Sequence, residues 1–252
     1  MLTDGKISVS IVIYQEDKNR LIPRLESLLK SALNFQVFLI DNSPNPTKEF
    51  DEFHTQLTYM FNDENIGFGK AHNLILPKID SDYHLILNPD VDFDPEILNS
   101  LIPKLSTDDN LAFITPRVLN TDGSVQFLCR KHPKTKTLLN RRLKFSNRLT
   151  IQDEYRESVA SNKSFYPEFI HGCFMLFKTD VLKSLGGFDE RFFLYMEDAD
   201  LCRRIDEEGL KAIYYPEVSI VHEHRRGSTQ SFKLLLIHLY SSFLYFLKWG
   251  FR

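Results

Sequence analysis

A chain of 252 residues, 42% hydrophobic and 26% charged, has the length to bury a core and the balance of an ordinary globular protein, which excludes a disordered chain. Its formal net charge of -3 gives no general case for nucleic acid as a partner. Three cysteines, Cys129, Cys173 and Cys202, are an odd number without metal-ligand spacing; they predict neither a disulfide framework nor a zinc site, and fit a reducing cytoplasm.

Ile7-Ser-Val9-Ser-Ile11 alternates at strand period, with no basic region leading into an apolar run of signal-peptide type, so secretion is not expected. A helical stretch near Leu21 to Ala32 and the continuous apolar run Val37-Phe-Leu-Ile40 follow. That order predicts an α/β fold in which parallel strands are joined by helical crossovers. Asp41 stands just past the second strand, where a carboxylate can accept the imide N–H of uracil or thymine; Asp-Asn-Ser-Pro is also ordinary turn chemistry, and turn is the favoured reading. Asn65-Ile-Gly67-Phe-Gly69-Lys70-Ala-His-Asn73 is a glycine-rich turn opening a helix, able to turn backbone N–H groups, Lys70 and Asn73 toward phosphates or a sugar. It has neither the third glycine of a dinucleotide fingerprint nor the Gly-Lys-Ser/Thr of a phosphate loop.

The apolar run His84-Leu-Ile-Leu87 stops at Asn88-Pro89-Asp90, and Asp94-Pro95 supplies a cap and first-turn proline for a helix through about Leu105. Ligands of open parallel sheets bind outside the carboxyl ends of the strands, so Asp41-Asn42 and Asn88 to Asp90 begin to outline a site. The Asp90 carboxylate suits a hard divalent cation that bridges to a diphosphate. From Arg130 to Arg148 eight Lys and Arg residues occur with no acidic residue among them; the stretch reads first as a solvated insertion and second as a contact for anionic lipid or a diphosphate.

Glu197 to Glu208, ending at Gly209, is predicted as a helix. Stepping about 100° per residue puts Leu201, Cys202 and Ile205 on one side with Asp198 in line with them, Glu197 at the margin and Asp200 pointing well away. A charge on a buried stripe is costly unless paired, metal-bound or poised for proton transfer, which makes Asp198 the candidate general base. Helix-start preference for acidic residues accounts for the three carboxylates equally well. His222 follows Val218 and Ile220 at strand spacing and reads first as a satisfied core histidine, while His224 to Ser228 could meet phosphate oxygens. For Phe232 to Phe251, simple core packing is favoured over an interfacial helix, and both over a spanning one.

The run from Gly172-Cys-Phe-Met-Leu-Phe through Gly186-Gly-Phe-Asp-Glu-Arg-Phe-Phe-Leu-Tyr-Met-Glu-Asp-Ala-Asp-Leu-Cys-Arg-Arg, with Asn65-x-Gly67, Leu87-Asn-Pro-Asp-Val91 and Pro216 to His222 in matching order, resembles the family 2 inverting glycosyltransferases, most closely their bacterial rhamnosyltransferase-like branch. The likeness runs from Ile7 to about Ser228 and implies a GT-A fold, a Rossmann-like mixed, mostly parallel sheet flanked by helices. It places a nucleotide-binding half up to about residue 125, a basic variable insertion at 130–160, an acceptor and catalytic half at about 165–228, and an amphipathic helix at 229–252. The resemblance further implies a nucleotide-sugar donor held by Tyr14, Asp41, Asn42, Asn65, Gly67, Lys70, Asn73, Asn88 and Asp90. Asp90 and His222 would hold Mg2+ or Mn2+, Asp198 would deprotonate the acceptor, and Glu197 stands beside it as a second catalytic acid. Two departures stand out: Ile13-Tyr14-Gln15 where the family often has Thr-Tyr-Asn, and Asn88 for the first aspartate of Asp-x-Asp. The implied activity is transfer of L-rhamnose from dTDP-L-rhamnose, with other dTDP- or UDP-sugars behind it, onto a saccharide or polyprenyl-diphosphate-linked saccharide in cell-surface polysaccharide assembly, in the cytoplasm with peripheral contact at the inner membrane. Two rivals of other classes are a sugar nucleotidyltransferase, which would release pyrophosphate, and a non-catalytic saccharide-binding module.

Overall fold

The computed structural model describes residues 6–53, 57–135, 155–160, 162–223 and 231–251. The basic stretch is therefore described only as far as Thr135, and His224 to Ser228 lie outside the described residues.

The first half alternates as its apolar pattern predicts: β1 (Ile7–Ile13), α1 (Lys18–Leu29), β2 (Phe35–Asp41), β3 (Leu57–Phe61), α2 (Phe68–Asn73), β4 (Tyr83–Leu87), β5 (Val91–Asp92), α3 (Leu98–Ser106) and β6 (Leu111–Leu119). Beyond it come β7 (Cys129–Arg130), α4 (Arg156–Ala160), β8 (Phe169–Ile170), β9 (Phe174–Lys178), α5 (Thr179–Ser184), α6 (Glu197–Glu207), β10 (Lys211–His222) and α7 (Phe232–Trp249). Eight strands make one sheet in the order β3, β2, β1, β4, β9, β6, β10, β5. The first four are parallel, β9 runs antiparallel between β4 and β6, β10 is parallel to β6, and β5 closes the edge antiparallel to β10. The short pair β7 and β8 forms a separate ribbon.

Both faces of the sheet are covered. Ile7, Val9, Ile11 and Ile13 of β1 pack with Leu21, Leu25 and Leu28 of α1 and with Leu98, Leu101 and Leu105 of α3. The opposite face packs Phe113, Met175 and Phe177 against Leu182, Leu201, Ile205, Tyr245 and Phe246, so α5, α6 and α7 build the second layer. Ser8 and Ser10, the polar half of the β1 alternation, are fully buried in that layer. Their hydroxyls meet imidazoles instead of water: Ser8 Oγ lies 2.7 Å from His84 Nδ1, and Ser10 Oγ lies 2.8 Å from His84 Nε2 and 2.7 Å from His72 Nδ1. A buried hydroxyl is tolerated when so paired, and the strand can be polar without being half-exposed.

Candidate functional site

The carboxyl end of β4 and the end of β10 bring Asp90 and His222 together. The Asn88 N–H donates to the Cys173 carbonyl at 2.9 Å, tying the turn after β4 to the start of β9. β5 pairs with the last residues of β10, Val91 opposite His222, so Asp90 enters the turn beside the imidazole. His222 Nε2 lies 3.3 Å from Asp90 Oδ1. Gln126 holds the other side of the ring, its Oε1 3.0 Å from His222 Nδ1 and its Nε2 donating to the His222 carbonyl at 2.7 Å. Because the amide nitrogen is spent on that carbonyl, Oε1 accepts from the Nδ1–H, and Nε2 is the ring atom turned to the carboxylate. A proton on Nε2 and a cation shared with Asp90 would each satisfy that contact.

Asp198 lies at the start of α6, reached from the same stretch of β9. Its Oδ2 accepts from the Gly172 N–H at 3.2 Å and its Oδ1 from the Ala199 N–H at 2.8 Å. His171 Nδ1 is 3.5 Å from Oδ2, on a ring that is well exposed. Burial pushes the Cys173 thiol up, and the charges of both Asp90 and Asp198 act on it in the same direction. One residue at the mouth of β9 thus stands within electrostatic reach of both carboxylates. Glu197 is buried, its Oε2 meets no hydrogen-bond partner, and loss of solvent followed by the neighbouring Asp198 charge raises its carboxyl well above the usual range. The turn leading in is strained, with Tyr195 and Met196 both at φ of 69°.

Asp200, expected to point away from the Leu201, Cys202 and Ile205 side, is fully buried, with Arg204, Lys248 and Trp249 around its carboxylate, because α7 lies against the side that an isolated helix would leave wet. Asp198, in line with the apolar stripe, keeps a partly open side chain because it sits at the helix end, where the Gly172 turn meets it.

The residues expected around a donor divide into two sets. Tyr14 is half-exposed, and Lys70 is exposed and lines a cleft of about 450 Å³ with Asn62, Asp63 and Glu64. Asn88 and Asp90 lie at the rim just described. The others are occupied by the protein itself. Asp41 is fully buried, with Oδ1 accepting from the Ser43 N–H at 2.8 Å and Oδ2 from the Tyr59 hydroxyl at 2.7 Å. Those two bonds serve the turn, and the carboxylate's remaining lone pairs are covered by the fold. Asn42 donates to the Gly67 carbonyl at 3.1 Å and accepts from Asn62, while Asn65 accepts from the Gly67 N–H at 3.0 Å. Asn73 accepts from the Phe188 N–H at 2.9 Å and donates to its carbonyl at 2.8 Å, so its amide fastens α2 to the loop before α6. Gly67, at φ of 90°, is required because a Cβ would strike the Phe193 carbonyl.

Sequence reasoning missed Gln126 and His171. Both act on partners far along the chain, and neither has a local pattern that announces it. A further cleft of about 820 Å³ opens beside α1, lined by Arg24, Asn88, Pro89, Asp92 and Glu223, but Asp90, His222 and Asp198 are not part of its lining.

Comparison with known proteins bears on this geometry. A family model described as glycosyltransferase like family 2 matches residues 5–238. An N-acetylglucosaminyl-diphospho-decaprenol L-rhamnosyltransferase of Mycobacterium tuberculosis is 26% identical over 181 residues, 66% of this chain and 58% of that protein. This chain thus spans under two thirds of that relative's length. Rhamnosyltransferase WbbL of Escherichia coli is 25% identical over 246 residues, 93% of this chain and 90% of that protein. Among solved structures, GalNAc-T7 with UDP, GalNAc and Mn2+ superposes with a TM-score of 0.67 at 16% identity, over 88% of this chain and 44% of that one. Mannosyltransferase PcManGT from Pyrobaculum calidifontis, with GDP-Man and Mn2+, gives 0.60 at 19% identity, over 90% and 59%. These structures carry the fold, which is GT-A, and with nearly its whole length matched the chain belongs to glycosyltransferase family 2.

Proposed function

We propose that the chain transfers a sugar from a nucleoside diphosphate to a saccharide hydroxyl, with inversion at the anomeric carbon and Asp198 as general base. The observation that carries this reading is that two adjacent residues tie the groups together: the Gly172 N–H binds the Asp198 carboxylate, and the Cys173 carbonyl accepts from Asn88 in the turn that delivers Asp90 to His222. The Asp90 and His222 geometry fits a divalent cation, since a carboxylate oxygen and the Nε2 of a ring held at Nδ1 by Gln126 face each other at 3.3 Å. Among the described residues no cluster of three or more His, Cys, Asp or Glu forms a full cage. A pair of protein ligands suits Mg2+ or Mn2+ shared with a diphosphate. When bound, such an ion would neutralise charge that builds on the leaving diphosphate.

The remaining chemistry belongs to the chain. Two backbone N–H groups aim the Asp198 carboxylate, which takes the proton of the acceptor hydroxyl as its oxygen bonds to the anomeric carbon; the bond from that carbon to the diphosphate oxygen breaks, and the electron pair leaves with it. Glu197, kept neutral by burial, adds no second negative charge beside the base. The favoured donor is dTDP-L-rhamnose, supported by the rhamnosyltransferase relatives, with UDP-sugars next. The favoured acceptor is a saccharide on a polyprenyl diphosphate, the class named for the mycobacterial relative.

Calorimetry with a panel of dTDP-, UDP- and GDP-sugars, in Mn2+ and in chelator, tests the donor and the ion together. Turnover should release the nucleoside diphosphate, and NMR of the product should show the inverted anomer. Release of pyrophosphate, or a retained anomer, overturns the reading.

A further inference from the structure

α7 is apolar on both sides, and the rest of the fold covers only one of them. Ser241, Tyr245 and Phe246 are buried. Phe232, Leu236, Leu239, Tyr240, Phe243 and Leu247 are between 43% and 75% exposed. At about 100° per residue these six fall within a stripe roughly 100° wide, approximately opposite Ser241, and span about 22 Å of helix. An apolar stripe of that size on a folded domain marks a contact surface, and a helix apolar all round is otherwise found inside a core or against lipid.

Charge identifies the occupant. Residues 224–252 contain Arg225, Arg226, Lys233, Lys248 and Arg252 and no Asp or Glu, although the whole chain carries a net charge of -3; of these, Lys248 is spent on Asp189 and Asp200. A second copy would bring an equally basic, acid-free segment, whereas anionic headgroups complement one. No described helix is long and apolar enough to cross a membrane; a helix packed on its own domain along one side and apolar along the other can lie in the plane of the interface. We propose that the exposed stripe of α7 docks on the surface of an anionic phospholipid bilayer.

The buried side of the same helix is fastened to the segment that delivers Asp198. Ser241 Oγ donates to the Leu194 carbonyl at 2.8 Å, and the His238 ring meets that of Tyr195 at 5.1 Å. Lys248 reaches Asp189 at 2.8 Å and Asp200 at 2.7 Å. A docked α7 therefore holds the start of α6 near the lipid surface, where a saccharide carried on a lipid diphosphate would present its hydroxyl. This last step rests on the proposed function; the docking itself does not.

The test is co-sedimentation of the full chain with vesicles of phosphatidylglycerol and phosphatidylcholine in equal parts, against phosphatidylcholine alone. The chain should pellet with the mixed vesicles and much less with the neutral ones. Leu239→Glu with Phe243→Glu should weaken that binding at least about tenfold. Unfolding curves of the variant should match the parent, since both side chains are exposed. A chain that stays in the supernatant with mixed vesicles overturns the proposal, as does a concentration-dependent dimer that the double variant abolishes while vesicle binding is absent. Transfer to a short-chain, water-soluble acceptor needs no vesicle, so loss of that activity would count against the catalytic reading alone.

Discussion

Trp249 donates its indole N–H to Asp200 at 2.8 Å, fastening the last turn of α7 to the first turn of α6. Lys248 meets the same carboxylate oxygen, and Arg204 Nε donates to the other at 2.9 Å while its remaining nitrogens bind the Leu185 and Gly187 carbonyls. Two carboxylates two residues apart thereby do different work. Asp200 is an internal counter-ion; Asp198 is open enough to meet a substrate.

Asp200→Ala takes the buried carboxylate from between Arg204 and Lys248, leaves Lys248 with Asp189 alone, and should cost about 3 kcal/mol of stability. Asp198→Asn should change stability by less than about 1 kcal/mol and lower turnover by roughly 10² to 10⁴, with donor binding kept. Urea unfolding beside steady-state rates checks both. Comparable stability losses in the two variants would refute the division of labour.

Gln126→Leu should weaken donor binding in Mn2+ by about 10- to 100-fold, because the ring of His222 loses both its tether and its fixed tautomer. The loss should disappear when parent and variant are compared in chelator. A deficit of equal size in chelator would mean that Gln126 acts through folding and not through the imidazole.

The sheet was legible because strands buried on both faces are written as apolar runs, as in Val37 to Ile40 and Leu85 to Leu87. The turns after β2 and β4, and the helix at Glu197, were likewise visible in local pattern. What stayed hidden depended on distant partners. The burial of Asp200 was hidden because nothing near it in sequence reveals that Lys248 and Trp249 return to it. Asn73 resembled a phosphate-facing residue until the Phe188 backbone, 115 residues on, proved to occupy its amide. Gln126 is an unremarkable polar residue until β10 carries His222 to it.

Gly186 and Gly187 separate conformation from space. Both have positive φ, 70° and 67°, but a Cβ on Gly186 meets nothing within 4 Å, whereas one on Gly187 strikes the Asn73 amide that pairs with Phe188. Gly186→Ala should cost about 1 kcal/mol, the strain of a left-handed alanine alone. Gly187→Ala adds the displaced amide and should cost about 2–4 kcal/mol. Equal losses in denaturant titrations would show that the α2 to α6 junction is not locked through Asn73.

Acid sensitivity follows from three buried groups, and their signs differ. Burial pushes His84 down to about 3 and His72 well below the usual histidine range, so both stay neutral in the fold while the unfolded chain protonates them near pH 6.5. Each therefore removes stability as pH falls below about 6.5, by about 1.4 kcal/mol per pH unit. Glu197 works the other way: its raised carboxyl keeps a proton in the fold that the unfolded chain loses above about 4.5, so it restores stability as pH falls through that window. Two histidines act against one carboxyl, so the balance of the three is a loss of stability as pH falls below about 6.5. Below about 4.5 the unfolded chain also protonates Glu197, its contribution saturates, and the loss should steepen. Glu197→Gln should steepen the loss across the upper window as well, and His84→Gln should flatten it. Urea unfolding at pH 7, 6 and 5 measures it, and a Glu197→Gln slope no steeper than the parent's would show that this carboxyl is ionised in the fold.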